Sequence, residues 1–472
     1  MKKALFELIA LLGIVVAYLL LAAMYAWQTP KWQVPDEPAH YNYVQQLAET
    51  GRYPIIDAGD WNQPYQNMLT GCGFHPAVLQ PDPSLAQINT PYLEACGYDI
   101  TMVAGISRIE YEDHQPPLYY TLQAVVYLLT DGDLLAMRLF SVLLGSGAIV
   151  AAWAITRRLF PNEQWLAIVT AGIVAFIPQR LFMMSGVNND ALAEALGGLL
   201  LLLTTYYITA TNVDWRWALA MGFVAGLIFL TKTTVYYTAG IAFIAIILRC
   251  WQDKAPFRAI ISQLLAFSIL AVAIGSIWWI HSLDVYGNTD FLGLQRHDQV
   301  VEGQLRTETY IERDLRGSTR LYLENLARTT FQSFWGQLGW MAYPMQPRIY
   351  NLLMGLTVLL LIGSILYAVQ EHWPKSLDKA QRHMLALLGV SLLLVIAQFL
   401  FYNLTFVQFQ GRYLYPALIP IALMFALGAD AWRKIIFKDS KMGWLSVWVV
   451  LAIALLAIYV LREVIPIMPR WN

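Results

Sequence analysis

The chain has 472 residues, 58% of them hydrophobic and only 13% charged, with a formal net charge of −1 and a mean hydropathy of +0.48. So little charge cannot clothe a soluble domain of this length, and no nucleic-acid partner is expected of it. Three cysteines exclude a disulfide scaffold and a four-thiolate zinc site.

In chain order, Met1-Lys2-Lys3 precedes an apolar run from Leu5 to Trp27. The run is too long for a cleaved signal peptide and reads as a retained anchor, its lysines cytoplasmic. A polar, carboxylate-rich segment follows to about Gln115 and holds Cys72 and Cys96, a candidate disulfide pair. Pro116-Pro117 leads into Leu118–Thr130, which is short for a crossing and reads as an interfacial or re-entrant helix. The second span runs from about Met137 to Ile155. Others are expected at 165–184, 191–209, 215–231, 234–249, 259–281, 350–369, 384–403, 412–430 and 443–461, about 11 in all. Only Lys232-Thr233 joins 215–231 to 234–249, which predicts a tight helical hairpin. A second polar loop covers 283–348.

Charge orients these spans. Arg157, Arg158, Arg249, Arg258, Lys375, Arg433 and Lys434 fall on one side with few carboxylates. By the positive-inside rule that side is cytoplasmic. Both large loops, 28–136 and 283–348, then lie outside. The chain reads as one all-α, polytopic, membrane-embedded domain over 1–472, in a prokaryotic plasma membrane. No internal repeat is visible, so the inverted-repeat mark of many transporters is missing.

Candidate chemistry gathers on the outer side. In Val34-Pro35-Asp36-Glu37-Pro38-Ala39-His40, Pro38 suits a first helical turn and Asp36 its N-cap. Asp36, Glu37 and His40 would share a face, and an acidic pair beside an imidazole can supply a general base. The same pattern also suits a plain capped and solvated first turn. Glu112-Asp113-His114-Gln115-Pro116-Pro117-Leu118-Tyr119-Tyr120 closes the loop. His40, Asp113 and His114 form a candidate divalent-metal set, since His and carboxylate ligands suit zinc or manganese. Asp190, Lys232 and Arg412 stand at outer span ends, and Lys232 is the one charge in a long apolar hairpin. Trp335 and Trp340 can stack on a sugar or anchor at the interface.

Taken in order, these segments resemble the GT-C superfamily of membrane glycosyltransferases. That group includes the protein O-mannosyltransferases and the aminoarabinose transferases that modify lipid A. The resemblance rests on Asp36-Glu37, His114 to Tyr120, Arg138-Leu139, Asp190, Phe229 to Lys232, and Arg412 to Pro416. The combination of Asn188 to Leu192, Ser333 to Trp340 and Gln410 to Tyr413 is closest to a prokaryotic subfamily. Gln115 departs from the aminoarabinose transferases, which carry a lysine there. They also have 13 spans and a large soluble C-terminal domain.

The resemblance implies a GT-C-type fold and a polyprenyl-phosphate-linked sugar as donor. A hydroxyl of a protein, lipid or glycan would be the acceptor, reached in one inverting displacement at the extracytoplasmic face. It implies Asp36 as base, with Glu37 orienting the acceptor or tuning Asp36. Lys232 and Arg412 would hold the donor phosphate, with Arg138 in reserve. His40, Asp113, His114, Gln115, Tyr119, Asp190, Trp335 and Trp340 would contact the acceptor or sugar. A lipid-linked glycan transporter and a non-catalytic subunit of degenerate fold are the alternatives.

Overall fold

The computed structural model describes residues 2–72, 107, 109–211, 214–287, 289–301, 303–437 and 440–468. Helices dominate it. They are α1 (Lys2–Gln28), α2 (Glu37–Thr50), α3 (Gln63–Gly71), α4 (Leu118–Thr130), α5 (Leu134–Leu159), α6 (Gln164–Phe176), α7 (Pro178–Met184) and α8 (Asp190–Thr209). There follow α9 (Trp215–Phe229), α10 (Tyr237–Gln252), α11 (Phe257–Tyr286), α12 (Leu294–Val300), α13 (Thr319–Trp335), α14 (Pro347–Gln370), α15 (Lys379–Tyr402), α16 (Leu418–Phe437) and α17 (Trp448–Tyr459). The only strands among the described residues are β1 (Gln337–Leu338) and β2 (Tyr343–Pro344), paired antiparallel.

Nine helices among the described residues are long and apolar enough to cross a membrane. The protein is thus an all-α polytopic membrane protein. Two of the expected spans differ from the sequence reading. The 165–184 run is broken into α6 and α7, bent by 62°. Pro178 is the cause: it brings no N–H, and its ring drives Ile177 out of the helical region to ψ 120°. The 215–231 run forms a helix of only 15 residues, short for a straight crossing.

The expected hairpin turn at Lys232 is present, but α9 packs chiefly along α11 rather than along α10. Gly222 and Gly226 make this possible: a β-carbon on Gly222 would stand 2.4 Å from the Phe267 carbonyl oxygen. Gly428 of α16 lies against Leu360 of α14 in the same way, at 2.0 Å. Lipid tails are as apolar as the helices, so such close backbone packing holds helices together where hydrophobic burial cannot.

Burial sorts the helices. The apolar window of Gly411–Phe437 is 83% buried and that of α11 only 17%, so α16 is central and α11 faces lipid. One core joins α1, α5, α6, α7 and α16 around Tyr18, Phe182 and Phe425. A second joins α8 to α11 around Tyr207, Met221 and Phe267, and continues through Tyr43, Tyr119 and Tyr120 of α2 and α4. Cys72 is disulfide-bonded; its expected partner, Cys96, lies outside the described residues. Cys250 is a buried free thiol.

Candidate active site

Asp36 precedes α2 in the left-handed region, at φ 67°. That is uncommon outside glycine, and a short polar side chain tolerates it best. The expected N-cap is not made, since no side-chain cap bond forms. The turn aims the carboxylate at Arg412 instead, whose Nη2 donates to Oδ2 at 2.5 Å. The Tyr111 hydroxyl donates to Oδ1 at 2.9 Å. Burial works to raise the Asp36 carboxyl; Arg412, His40 and these hydrogen bonds outweigh it and hold it below its ordinary value.

Arg412 is placed by the segment before α16. Gly411 presses on α13 so closely that a β-carbon would sit 2.3 Å from the Thr330 oxygen. Its N–H donates to Ser333 Oγ at 2.7 Å. The Arg412 Nε is buried and makes no hydrogen bond. An unpaired guanidinium N–H in such a place is costly.

The second cation, Lys232, stands in the turn after α9. Its Nζ reaches Asp190 Oδ1 at 2.6 Å and Asn189 Oδ1 at 2.7 Å. Asn189 in turn donates to Gln115 Oε1 at 3.3 Å, and Gln115 Nε2 donates to Glu112 Oε2 at 2.8 Å. The Leu118 N–H donates to the Leu230 carbonyl at 2.8 Å, which ties the loop-closing prolines to the lysine turn. Burial, then the Asp36 charge, pushes Glu112 up to about 7.

Asp36, Tyr111, Glu112 and Arg412 line one cavity of about 680 Å³, with Trp61, Trp340, Tyr413, Gln304, Gln410 and His297 among its other walls. A second, apolar groove of about 640 Å³ runs between α13, α14, α15 and α16. Phe334 and Leu414 line that groove, so its end adjoins the segment that carries Arg412.

Several expected site residues serve elsewhere. Glu37 is fully buried and makes a bidentate ion pair with Arg138, at 2.7 and 2.5 Å. Arg138 also donates to the carbonyls of Ala26, Thr29 and Pro30. The pair closes the end of α1 and leaves Arg138 no donor for a phosphate. Tyr119 is buried, bonded to Ser141, Gln123 and the Asn188 N–H. Trp335 is core, stacked on Phe425 at 6.3 Å. Trp340 instead turns into the cavity, its indole N–H held by the Trp32 carbonyl at 2.9 Å; residues 339–341 all have positive φ, which redirects the chain.

The metal set is not assembled. Among the described residues no three His, Cys, Asp or Glu side chains converge as a metal would need. His40 Nδ1 pairs with the Tyr120 hydroxyl at 2.8 Å, and burial, then Lys232, lowers its imidazole to about 3. His114 lies against His297, ring centroids 4.4 Å apart. Burial pushes Asp113 well above the ordinary carboxylate range. The residues that sequence reasoning passed over are Tyr111 and His297, which belong to no motif; Glu112 and Asn189 drew notice only as part of their segments, Glu112 to Tyr120 and Asn188 to Leu192.

No curated protein matches this chain by sequence. The fold matches the crystal structure of ArnT from Cupriavidus metallidurans bound to undecaprenyl phosphate, with TM-score 0.50 and 13% identity over 98% of this chain and 73% of that one. It matches the apo state of the same ArnT with TM-score 0.51, at the same identity and coverage. The likeness establishes a GT-C-type fold. The sequence matches the model of the predicted membrane protein family DUF2142 over residues 19–422, and the chain belongs to that family.

Proposed function

We propose that this protein is a glycosyltransferase that moves a sugar from a polyprenyl-phosphate carrier to a hydroxyl acceptor, at the extracytoplasmic face of a prokaryotic plasma membrane. The observation that carries the reading is Arg412. It stands where the polar cavity adjoins the apolar groove, and its Nε is buried without a partner. A phosphate joined to a long apolar chain has that same division between a charged head and a greasy tail. The ArnT structure that shares this fold holds undecaprenyl phosphate.

In this reading the polyprenyl chain lies in the groove and its phosphate meets Arg412 and Lys232. The sugar extends into the cavity among Trp61, Trp340 and the amides. The acceptor oxygen attacks the anomeric carbon as the bond from that carbon to the phosphate oxygen breaks. The electron pair leaves on the phosphate, where the two cations receive it. Preorganised charge of this kind is the larger part of catalysis when the leaving group is an anion. Arg138 has no part in this, since it is saturated within the protein.

A transporter would need a polar path through the spans. The interior charges Arg180 and Glu194 pair with each other at 2.8 Å, and Asp430 pairs with Arg433 at 2.7 Å, so neither pair favours one. The test is transfer in lipid nanodiscs, with polyprenyl-phosphate mannose, glucose and aminoarabinose offered in turn to pools of hydroxyl acceptors. Release of polyprenyl phosphate that depends on Arg412 supports the proposal. Donor binding without release, under every acceptor, overturns it.

A further inference from the structure

We propose that Glu112 is the carboxylate that takes the acceptor's proton, and that Asp36 is a positioning residue for Arg412. This rests on the transferase reading above. It reverses the role that the acidic pair at the start of the loop leads one to expect for Asp36.

The two carboxylates share the cavity but differ in what remains free on each. Asp36 has both oxygens engaged, Oδ1 by the Tyr111 hydroxyl and Oδ2 by the Arg412 guanidinium. A carboxylate locked in an ion pair is a weak base, because protonation would leave the guanidinium uncompensated. Glu112 is half-buried and spends one oxygen on Gln115. Among the described residues no donor reaches its other oxygen, and no cation lies within ion-pair distance of it.

Its surroundings also suit the task. Asp36 repels its charge, while Lys232 and Arg412 favour it more weakly than burial opposes it. Asp113 on its own segment and the hydroxyls of Tyr120, Tyr402 and Tyr413 across the cavity feel the same charge. The net result, an acidity near neutrality, is where a general base works best. Gln115 and Asn189 link Glu112 to Lys232 through neutral amides. That chain sets the base and the leaving-group cation in one frame.

The step balances. The acceptor O–H proton passes to the free Glu112 oxygen, the acceptor oxygen bonds to the anomeric carbon, and the polyprenyl phosphate departs with the bonding pair. Water takes the proton from Glu112 after turnover.

The experiment compares wild type, Glu112→Gln, Glu112→Asp and Asp36→Asn in nanodiscs. It records polyprenyl-phosphate release from about pH 5 to about pH 9, together with donor Kd. Wild-type kcat/KM is expected to fall tenfold per pH unit below about 7, as Glu112 gains its proton. Glu112→Gln should lower kcat roughly 10²–10⁴-fold and flatten that limb while donor Kd holds, which also certifies the fold. Glu112→Asp should restore the limb and part of the rate. Asp36→Asn should weaken donor binding and keep the limb. A Glu112→Gln enzyme with wild-type rate and limb, or an Asp36→Asn enzyme without the limb, overturns the assignment. If wild type releases polyprenyl phosphate from no donor, the transferase reading falls and this one with it.

Discussion

Arg412 and Asp36 meet across 376 residues of sequence, through a single charge-assisted hydrogen bond of 2.5 Å. Arg412 is nearly buried while Asp36 keeps some exposure to the cavity, 5% against 19%, so the arginine depends on this partner or on a ligand. Arg412→Ala should weaken donor binding and lower transfer roughly 10²–10³-fold. Arg412→Lys keeps the charge but loses the fork, and should recover only part of that. Titration with a soluble short-chain polyprenyl phosphate checks both; unchanged affinity in Arg412→Ala would refute the placement of the phosphate.

The Glu37–Arg138 pair should behave differently. Both side chains are buried, so removing one strands the other. Arg138→Met or Glu37→Gln should destabilise the protein by about 3–5 kcal/mol. Thermal unfolding in detergent reads this directly. The double variant should recover much of the loss, and the folded fraction of each should keep its donor Kd.

The apolar groove offers a steric test. Ala327 on α13 lines it. Ala327→Trp should fill the groove, raise the KM for long-chain donors several-fold and leave kcat nearly unchanged, as loss of uniform binding does. A donor with a truncated chain should show a smaller effect. Equal effects on both chain lengths would place the chain elsewhere.

His40 gives the site a pH signature in stability. Buried and facing Lys232, its imidazole is held neutral, lowered to about 3 from about 6.5 in the unfolded chain. Its stabilising share is therefore complete above about 6.5 and is lost as pH falls towards 3, because the unfolded state takes up the proton first. Tm should drop on acidification through this window, and His40→Asn should make the slope shallower. A slope identical in the two proteins would show that His40 is solvated.

Much of this is legible in the amino-acid sequence. Long apolar runs announce spanning helices, because a bilayer accepts little else. Asp190, Lys232 and Arg412 stand out as charges at span ends and Asp36 at the start of the first outer loop, and all four fall within one electrostatic neighbourhood. What could not be read is which side chain pairs with which across the fold. Nothing along the chain tells that Glu37 turns inward to Arg138 while its neighbour Asp36 turns to Arg412; a left-handed φ at one residue decides it. Trp335 and Trp340 look alike in sequence, yet positive φ values at 339–341 send the second into the cavity. His40, Asp113 and His114 are of kinds that suit a metal, but His40 packs against Tyr120 and His114 against His297, and among the described residues the three do not converge.

The separation between Asp36 and its partner is also an interval of time. Ribosomes add about 5–20 residues per second. Glu37 waits for Arg138 over 101 residues, and Asp36 waits for Arg412 over 376. At those speeds the second wait lasts roughly 20–75 s. Throughout it the first loop is already made, and its carboxylate has Tyr111 but not yet its cation. Completion of the site thus waits for Arg412, and a chain stalled before it would carry Asp36 and Glu112, the acidic residues of the cavity, with the principal cation still to come.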